Sequence, residues 1–208
     1  MPQKTVEFMK KSKPFRLVLA SGSAARKDLL HRAGFEFEVM PAQIDEPSDS
    51  GFPDARSYVE HVAWLKAKSV ASRMTGDADR TTLILAADTV GWLGGRAIGK
   101  PADESDARRI LRLLAGTAHE LWTGVCLWRR PGDLQLSWQE VSRVALRPMA
   151  ETELTEYLHS RQWEGCSGAY AIQEKDDPYV ELLEGSLSNV IGLPMETLIN
   201  VLTWCVPP

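Results

Sequence analysis

Five charged residues could do chemistry together if the fold gathers them: Asp88, Lys66, Arg26, Lys100 and Glu46. Asp88 closes the apolar run in TLILAADTV, residues 82 to 90. Open α/β sheets commonly place ligand-binding groups at strand ends. A carboxylate there loses solvation, and a cation or a metal would keep it ionised. A turn or N-terminal cap is the plainer use of the same aspartate. Lys66 lies in the stretch YVEHVAWLKAKSV. At about 100° per residue, Val59, Val62, Ala63, Ala67 and Val70 share one helix face. Lys66 falls near the middle of that face, and Lys68 points the opposite way. A lysine in an apolar stripe either snorkels to water or meets an anion.

The stretch LVLASGSAARKDLL, residues 17 to 30, stops an apolar strand at Ser21, Gly22 and Ser23 and opens a helix with Arg26 in its first turn. A helix start presents unpaired N–H groups and the positive end of the dipole. Ser21, Ser23 and Arg26 are therefore a candidate phosphate seat. The plainer reading is a Ser23 cap with a solvated Arg26. Gly94-Gly95 reads as a two-residue hairpin turn, which sets Leu93 opposite Arg96 and Thr89 opposite Lys100. That register draws Lys100 back beside Asp88, and a one-residue slip would turn it away. Glu46, in the loop IDEP, is a candidate second carboxylate. If these groups converge, they form a cationic site for an anionic ligand, with carboxylate oxygens suited to Mg²⁺ or Mn²⁺. His31, His61, His119 and His159 are isolated and lack metal-ligand spacing, and His119 is read as structural.

The elements that must position these residues mix helices and strands throughout, so the class is α/β. Strands are expected at residues 17–20, 35–40 and 82–90, in the hairpin around Gly94-Gly95, and in the ribbon HELWTGVCLWRR/LQLSWQEVSRVAL. The Trp122 to Leu146 part of that ribbon is assigned to a second lobe. Helices are expected at 24–33, at 55–74, in PADESDARRILRLLAG with Asp103 as N-cap, in ETELTEYLHS, and after Pro194. Residues 1 to 14 are read as a flexible N-terminal arm, and 15–208 as a single domain of two lobes.

The chain has 208 residues and a formal charge of −4, which argues against a general nucleic-acid binder with a basic surface. No apolar run approaches the ~20 residues needed to span a bilayer, so no membrane partner is expected. The basic start MPQKTVEFMKKSK lacks the apolar core of a signal peptide. Cys126, Cys166 and Cys205 fit neither a zinc pattern nor a disulfide framework, and a reduced, cytoplasmic setting follows.

The blocks LASGSAARKDLL, the DE of IDEP, YVEHVAWLKA, AADTV, IGKPAD, the segment from Gly116 through TGV, GAYAIQ and GSLSNVIGLP stand in order from about Leu17 to Leu198. In these the chain resembles the Maf (septum formation inhibitor-like) nucleotide pyrophosphatases, closest to the branch that prefers dTTP and UTP. The resemblance implies a two-lobed mixed α/β, Maf/ITPase-like fold with a cleft, often a homodimer. It implies hydrolysis of a nucleoside triphosphate to the monophosphate and pyrophosphate with a divalent metal, and a role in clearing unwanted or modified nucleotides. Asp88 matches the family's proposed general base and, with Glu46, its metal-holding carboxylates. Ser21, Ser23, Arg26, Lys66 and Lys100 match the phosphate site. Thr89 and Gln173 match positions tied to base choice. The sequence departs from the family at Ala24-Ala25, where Pro-Arg is frequent, and at Ala171, where glycine is frequent. Ala25 occupies a position tied to specificity. The competing reading is a non-catalytic nucleotide-binding regulator of cell division.

Overall fold

The computed structural model describes residues 15–74, 81–172 and 177–205. Residues 1–14 and Gln173 lie outside them. In chain order the elements are β1 (Arg16–Leu19), α1 (Ala24–Arg32), β2 (Glu38–Val39), α2 (Ala55–Arg73), β3 (Thr82–Leu93), β4 (Arg96–Ile98), α3 (Glu104–Leu114), β5 (Thr117–Arg130), β6 (Leu134–Leu146), α4 (Glu151–His159), β7 (Val180–Glu184), α5 (Leu187–Ile191) and α6 (Met195–Cys205). One seven-stranded sheet runs β2-β1-β3-β5-β6-β7, with β4 on the far part of β3. Pairing is parallel for β2, β1 and β3 and antiparallel for all other pairs.

Two-residue alternation decides which helix each strand residue meets. Val18, Ala20, Ile84, Ala86 and Cys126 pack with Ala63, Ala67 and Val70 of α2. Leu17, Leu19, Leu83, Leu85, Ala87 and Val125 face the other way, onto Leu30 of α1 and Leu198 and Leu202 of α6. A third core joins Ile110, Leu111 and Leu114 of α3 to Leu154 and Leu158 of α4 and Leu121, Val144 and Leu146 of the ribbon. Side-chain caps start four α-helices: Ser23 Oγ accepts from Arg26 N (3.4 Å), Asp54 Oδ1 from Ser57 N (2.8 Å), Asp103 Oδ1 from Asp106 N (2.8 Å) and Ser186 Oγ from Asn189 N (3.1 Å). Such a cap contributes about 1 kcal/mol.

Three expectations need correction. Asp88 does not end its strand: β3 continues to Leu93, because β5 pairs with it from Thr82 to Trp92. Asp88 lies just past the last residue that β1 covers, Leu85. The expected strand at 35–40 shrinks to Glu38–Val39, although Phe35 and Phe37 pack on the core while Glu36 and Glu38 stay exposed, as the alternation implied. The hairpin pairs Leu93 with Arg96 as expected, but β4 stops at Ile98, so the ladder ends before the expected pairing of Thr89 with Lys100. The Trp122 to Leu146 ribbon continues the same sheet as β1 and β3.

Gly124 fixes how closely α2 approaches that sheet. It is the cross-strand partner of Asp88. A Cβ at this position would overlap the Val59 carbonyl of α2 and come within 2.7 Å of Glu60 N. Only a glycine lets the helix backbone seat directly on β5.

His119 is 3% exposed, and its Nε2 lies 2.6 Å from the Tyr170 hydroxyl. Burial pushes its pKa from 6.5 down to about 4. A histidine kept neutral in the fold stabilises fully above the unfolded pKa, and that contribution fades as pH falls toward the folded value. Acidification from pH 6.5 to 4 therefore removes about 3 kcal/mol through this residue. Urea unfolding across that range checks it, with His119→Gln losing this part of the pH dependence; equal slopes for the two proteins would assign the effect elsewhere.

Candidate active site

The strand alternation carries straight into the site. Asp88 continues the Ile84, Ala86 row and faces α2, while Thr89 continues the Leu85, Ala87 row and faces α1. Lys66, on the apolar face of α2, meets the first of these. Its Nζ donates to Asp88 Oδ1 at 2.7 Å and lies 2.7 Å from Glu46 Oε1. The side chains of Lys66 and Asp88 are 12% and 11% exposed, and that of Glu46 is 47% exposed. Lys66 thus meets anions rather than snorkelling. An ammonium has three donors, and the third is left for a ligand. Burial raises the Glu46 pKa, but the hydrogen bond and charge of Lys66, with the charges of Lys100 and Arg26, outweigh it and hold Glu46 below its ordinary value.

On the opposite face, the guanidinium of Arg26 ties three elements together. Nε donates to Gly192 O (2.7 Å), one terminal nitrogen to Ser21 Oγ (3.2 Å) and the other to Thr89 Oγ1 (3.0 Å). Burial lowers its pKa, and the charges of Asp88 and Glu46 oppose that shift. Of the five N–H groups on a guanidinium, two remain. Gly192, with φ of 124°, ends α5; a Cβ there would lie 3.4 Å from Thr89 Oγ1 and 3.5 Å from Arg26 Nε.

The serine turn offers protons. Ser21 Oγ accepts from Ser23 N (3.2 Å) and from Arg26, so both lone pairs are engaged and its hydrogen is left to donate. Ser23 Oγ caps α1 through Arg26 N, and its hydrogen also has no acceptor among the described residues. All of these groups open into one cavity of about 900 Å³, which Lys100, Ala25 and Tyr170 also line. The expected residues Ser21, Ser23, Arg26, Glu46, Lys66, Asp88, Thr89 and Lys100 are thus brought to one cavity. Ala25 lies exposed at its wall and supplies no charge. Gln173 lies outside the described residues.

Sequence reasoning passed over four contributors. Thr123 bonds to Thr89 across the β3–β5 pair (3.0 Å), Ser167 Oγ donates to Thr89 O (3.0 Å), and Gly124 and Gly192 admit the close approaches described above. The glycines were visible as gaps in apolar or helical runs, but nothing local told what fills the space they leave. The Asp28–Arg32 ion pair of α1 (2.7 Å) also lines the cavity wall beyond Ala25.

The donor set suits a hard divalent cation. Asp88 and Glu46 each bond Lys66 through one oxygen, leaving the other oxygen of each carboxylate. Among the described residues no group of three or more His, Cys, Asp or Glu could hold a metal by itself. Mg²⁺ and Mn²⁺ are commonly held by one or two carboxylates together with substrate phosphates, which this pair fits.

A family model described as Maf-like protein matches residues 16–205. A protein of Anaeromyxobacter sp. (strain Fw109-5) named dTTP/UTP pyrophosphatase is 44% identical over 184 residues, covering 87% of this chain and 85% of its own. Proteins of the same name from Rhodopirellula baltica and Pelotomaculum thermopropionicum are 38% and 39% identical, covering 91% and 89% of this chain and 82% and 94% of their own.

Proposed function

Because the chain belongs to the Maf-like protein family, we propose that it hydrolyses the α–β phosphoanhydride of a nucleoside triphosphate, giving the monophosphate and pyrophosphate. The substrate class is dTTP and UTP, as in the names of its relatives, or modified forms of these nucleotides. The observation that carries this reading is the Glu46–Lys66–Asp88 cluster, set in the same cavity as Arg26, Lys100 and the serine turn.

In this reading Asp88 either takes a proton from the water that attacks the α-phosphorus or holds the metal that activates that water, through the oxygen that Lys66 leaves free. The new P–O bond forms as the bond to the bridging α–β oxygen breaks, and pyrophosphate leaves with that oxygen. Lys66, Lys100 and Arg26 hold the triphosphate and neutralise the charge that develops on the leaving group. Ser21 and Ser23 donate to phosphate oxygens. Glu46 and Asp88 would hold a divalent cation, Mg²⁺ or Mn²⁺, which would supply further charge neutralisation on the phosphates. Ala25, Thr89 and Gln173 belong to base selection. The two lobes of this reading are the part where α1, α2 and α6 cover the sheet and the part where α3 and α4 pack on the ribbon.

The setting is cytoplasmic, which the free thiols of Cys126 and Cys166 support, and no helix among the described residues is long and apolar enough to cross a membrane. The assembly is a homodimer, supported by Leu134, Leu136 and Val141, which stay exposed along the part of β6 that β7 does not cover.

Product analysis with dTTP, UTP, CTP and GTP, with Mg²⁺ or Mn²⁺, tests the reaction. Monophosphate and pyrophosphate in equal amounts are expected. Orthophosphate with a diphosphate would assign a different bond. Tight nucleotide binding without turnover would favour the regulator, with the uncharged Ala25 as the feature to change first.

A further inference from the structure

Arg26 is held by a closed ring of hydrogen bonds that meets at one carbonyl. Its Nε donates to Gly192 O (2.7 Å), and Gly192 N donates in turn to Asn189 O (3.0 Å). On the other branch a terminal nitrogen donates to Thr89 Oγ1 (3.0 Å), which lies 3.0 Å from Thr123 Oγ1. Thr123 Oγ1 gives its one hydrogen to Asn189 O (3.0 Å), so the contact between the two threonines is a donation from Thr89. Both branches therefore run from the guanidinium to Asn189 O, and both lone pairs of that oxygen are engaged.

The Asn189 side chain fixes that carbonyl in place. It is fully buried, and its Nδ2 donates to Leu121 O of β5 (3.3 Å) and to Ser142 Oγ of β6 (2.9 Å). Ser142 Oγ also donates to Ser186 O (3.2 Å) and accepts from Ser186 N (3.1 Å), at the start of α5. A helix of five residues is too short to hold its place by its own hydrogen bonds, and the amide ties it to two strands of the sheet. We propose that Asn189 is the positioning residue for Arg26. Its amide sets the α5 carbonyls against β5 and β6, and those carbonyls set the guanidinium, leaving one N–H on each terminal nitrogen for a phosphate. Asn189 is not among the residues that line the cavity, so it acts through α5 alone. A planar fork already held at three of its N–H groups loses little freedom when a ligand arrives. The proposal rests on the phosphate-binding role given to Arg26 above.

The test is a double-mutant cycle. Asn189→Ala and Ser142→Ala are each made in the wild type and in Arg26→Lys, whose ammonium lacks the planar fork that the ring holds. In the wild type, Asn189→Ala is expected to lower kcat/KM for UTP with Mg²⁺ by about 10-fold, the size of one hydrogen bond to a charged group. Ser142→Ala keeps the arm to Leu121 and is expected to cost about 3-fold. In the Arg26→Lys background each change alters kcat/KM by less than about 2-fold. Loss of folded protein would lower kcat/KM by the same factor in both backgrounds, so a purely structural role does not imitate this coupling. Should Asn189→Ala fail to fold, Ser142→Ala carries the cycle. Calorimetric titration with UTP in EDTA repeats the cycle without turnover. Coupled losses of binding in a protein that does not hydrolyse UTP would sustain the proposal and sink the pyrophosphatase reading. No loss in the wild type, or equal losses in both backgrounds, overturns the proposal and leaves that reading intact. A wild type that neither binds nor hydrolyses UTP overturns both.

Discussion

Asp88→Asn folds like the wild type and loses about 10²–10⁴-fold in kcat, the range spanned by a positioned general base. The amide has the shape of the carboxylate, and its carbonyl oxygen still accepts from Lys66. Lys66 also retains Glu46, so the change does not strand a buried cation. Truncating one partner of an isolated buried pair typically costs about 3–5 kcal/mol. The second carboxylate keeps the cost here well below that. What disappears is the oxygen that can take a proton and the negative charge that helps hold a cation. Thermal unfolding and product release, measured on the same preparation, separate the two effects. Turnover within a few-fold of wild type would remove Asp88 from the chemistry.

Gly124→Ala is the second large effect, and it acts through packing. The added methyl meets backbone of α2 at Val59 and Glu60, not the pliable end of a side chain. Overpacking of this kind costs about 3 kcal/mol, at the upper end of the usual range. For a chain of this size that is a fall in Tm of about 6–12 °C. The protein that remains folded is also slow, because relief of the clash moves α2 away from β5 and carries Lys66 with it, two helical turns along. A displacement of about 1 Å at a reacting group can cost 10²-fold. The measurements are Tm and the kcat of the folded fraction at low temperature. A variant with wild-type Tm and kcat would show that α2 does not depend on Gly124 for its seat.

The helix bearing Lys66 was legible because its apolar stripe is regular, and a cation inside it needs an explanation that local sequence can pose. The caps at Ser23 and Asp103 were legible for the same reason: they act within one turn. The length of β3 was not. Its last residues are held by β5, and a pairing partner that far along the chain leaves no mark on the strand itself. The same limit hid the place of Thr89. The Gly-Gly turn gave the hairpin register correctly at Leu93 and Arg96, yet the ladder stopped at Ile98, two residues short of Lys100, while β5 pairs with Thr89 on the other edge of β3. Lys100 reaches the cavity from the loop that follows. Convergence of Glu46 on Lys66 was the least visible feature, since an irregular loop has no period from which a direction can be read.

Asp88 and Thr89 are neighbours in the chain that look to opposite sides of one sheet. For the history of such a protein, this separates two kinds of inheritance. Substitutions on α1 and around Thr89 can change that wall of the cavity while the side that faces α2 is left untouched. Ala25 stands exposed on the α1 side of the cavity wall, and Glu46, Lys66 and Asp88 stand together on the other side of the sheet. One strand thus lets selection vary the diet of the molecule without reopening its chemistry.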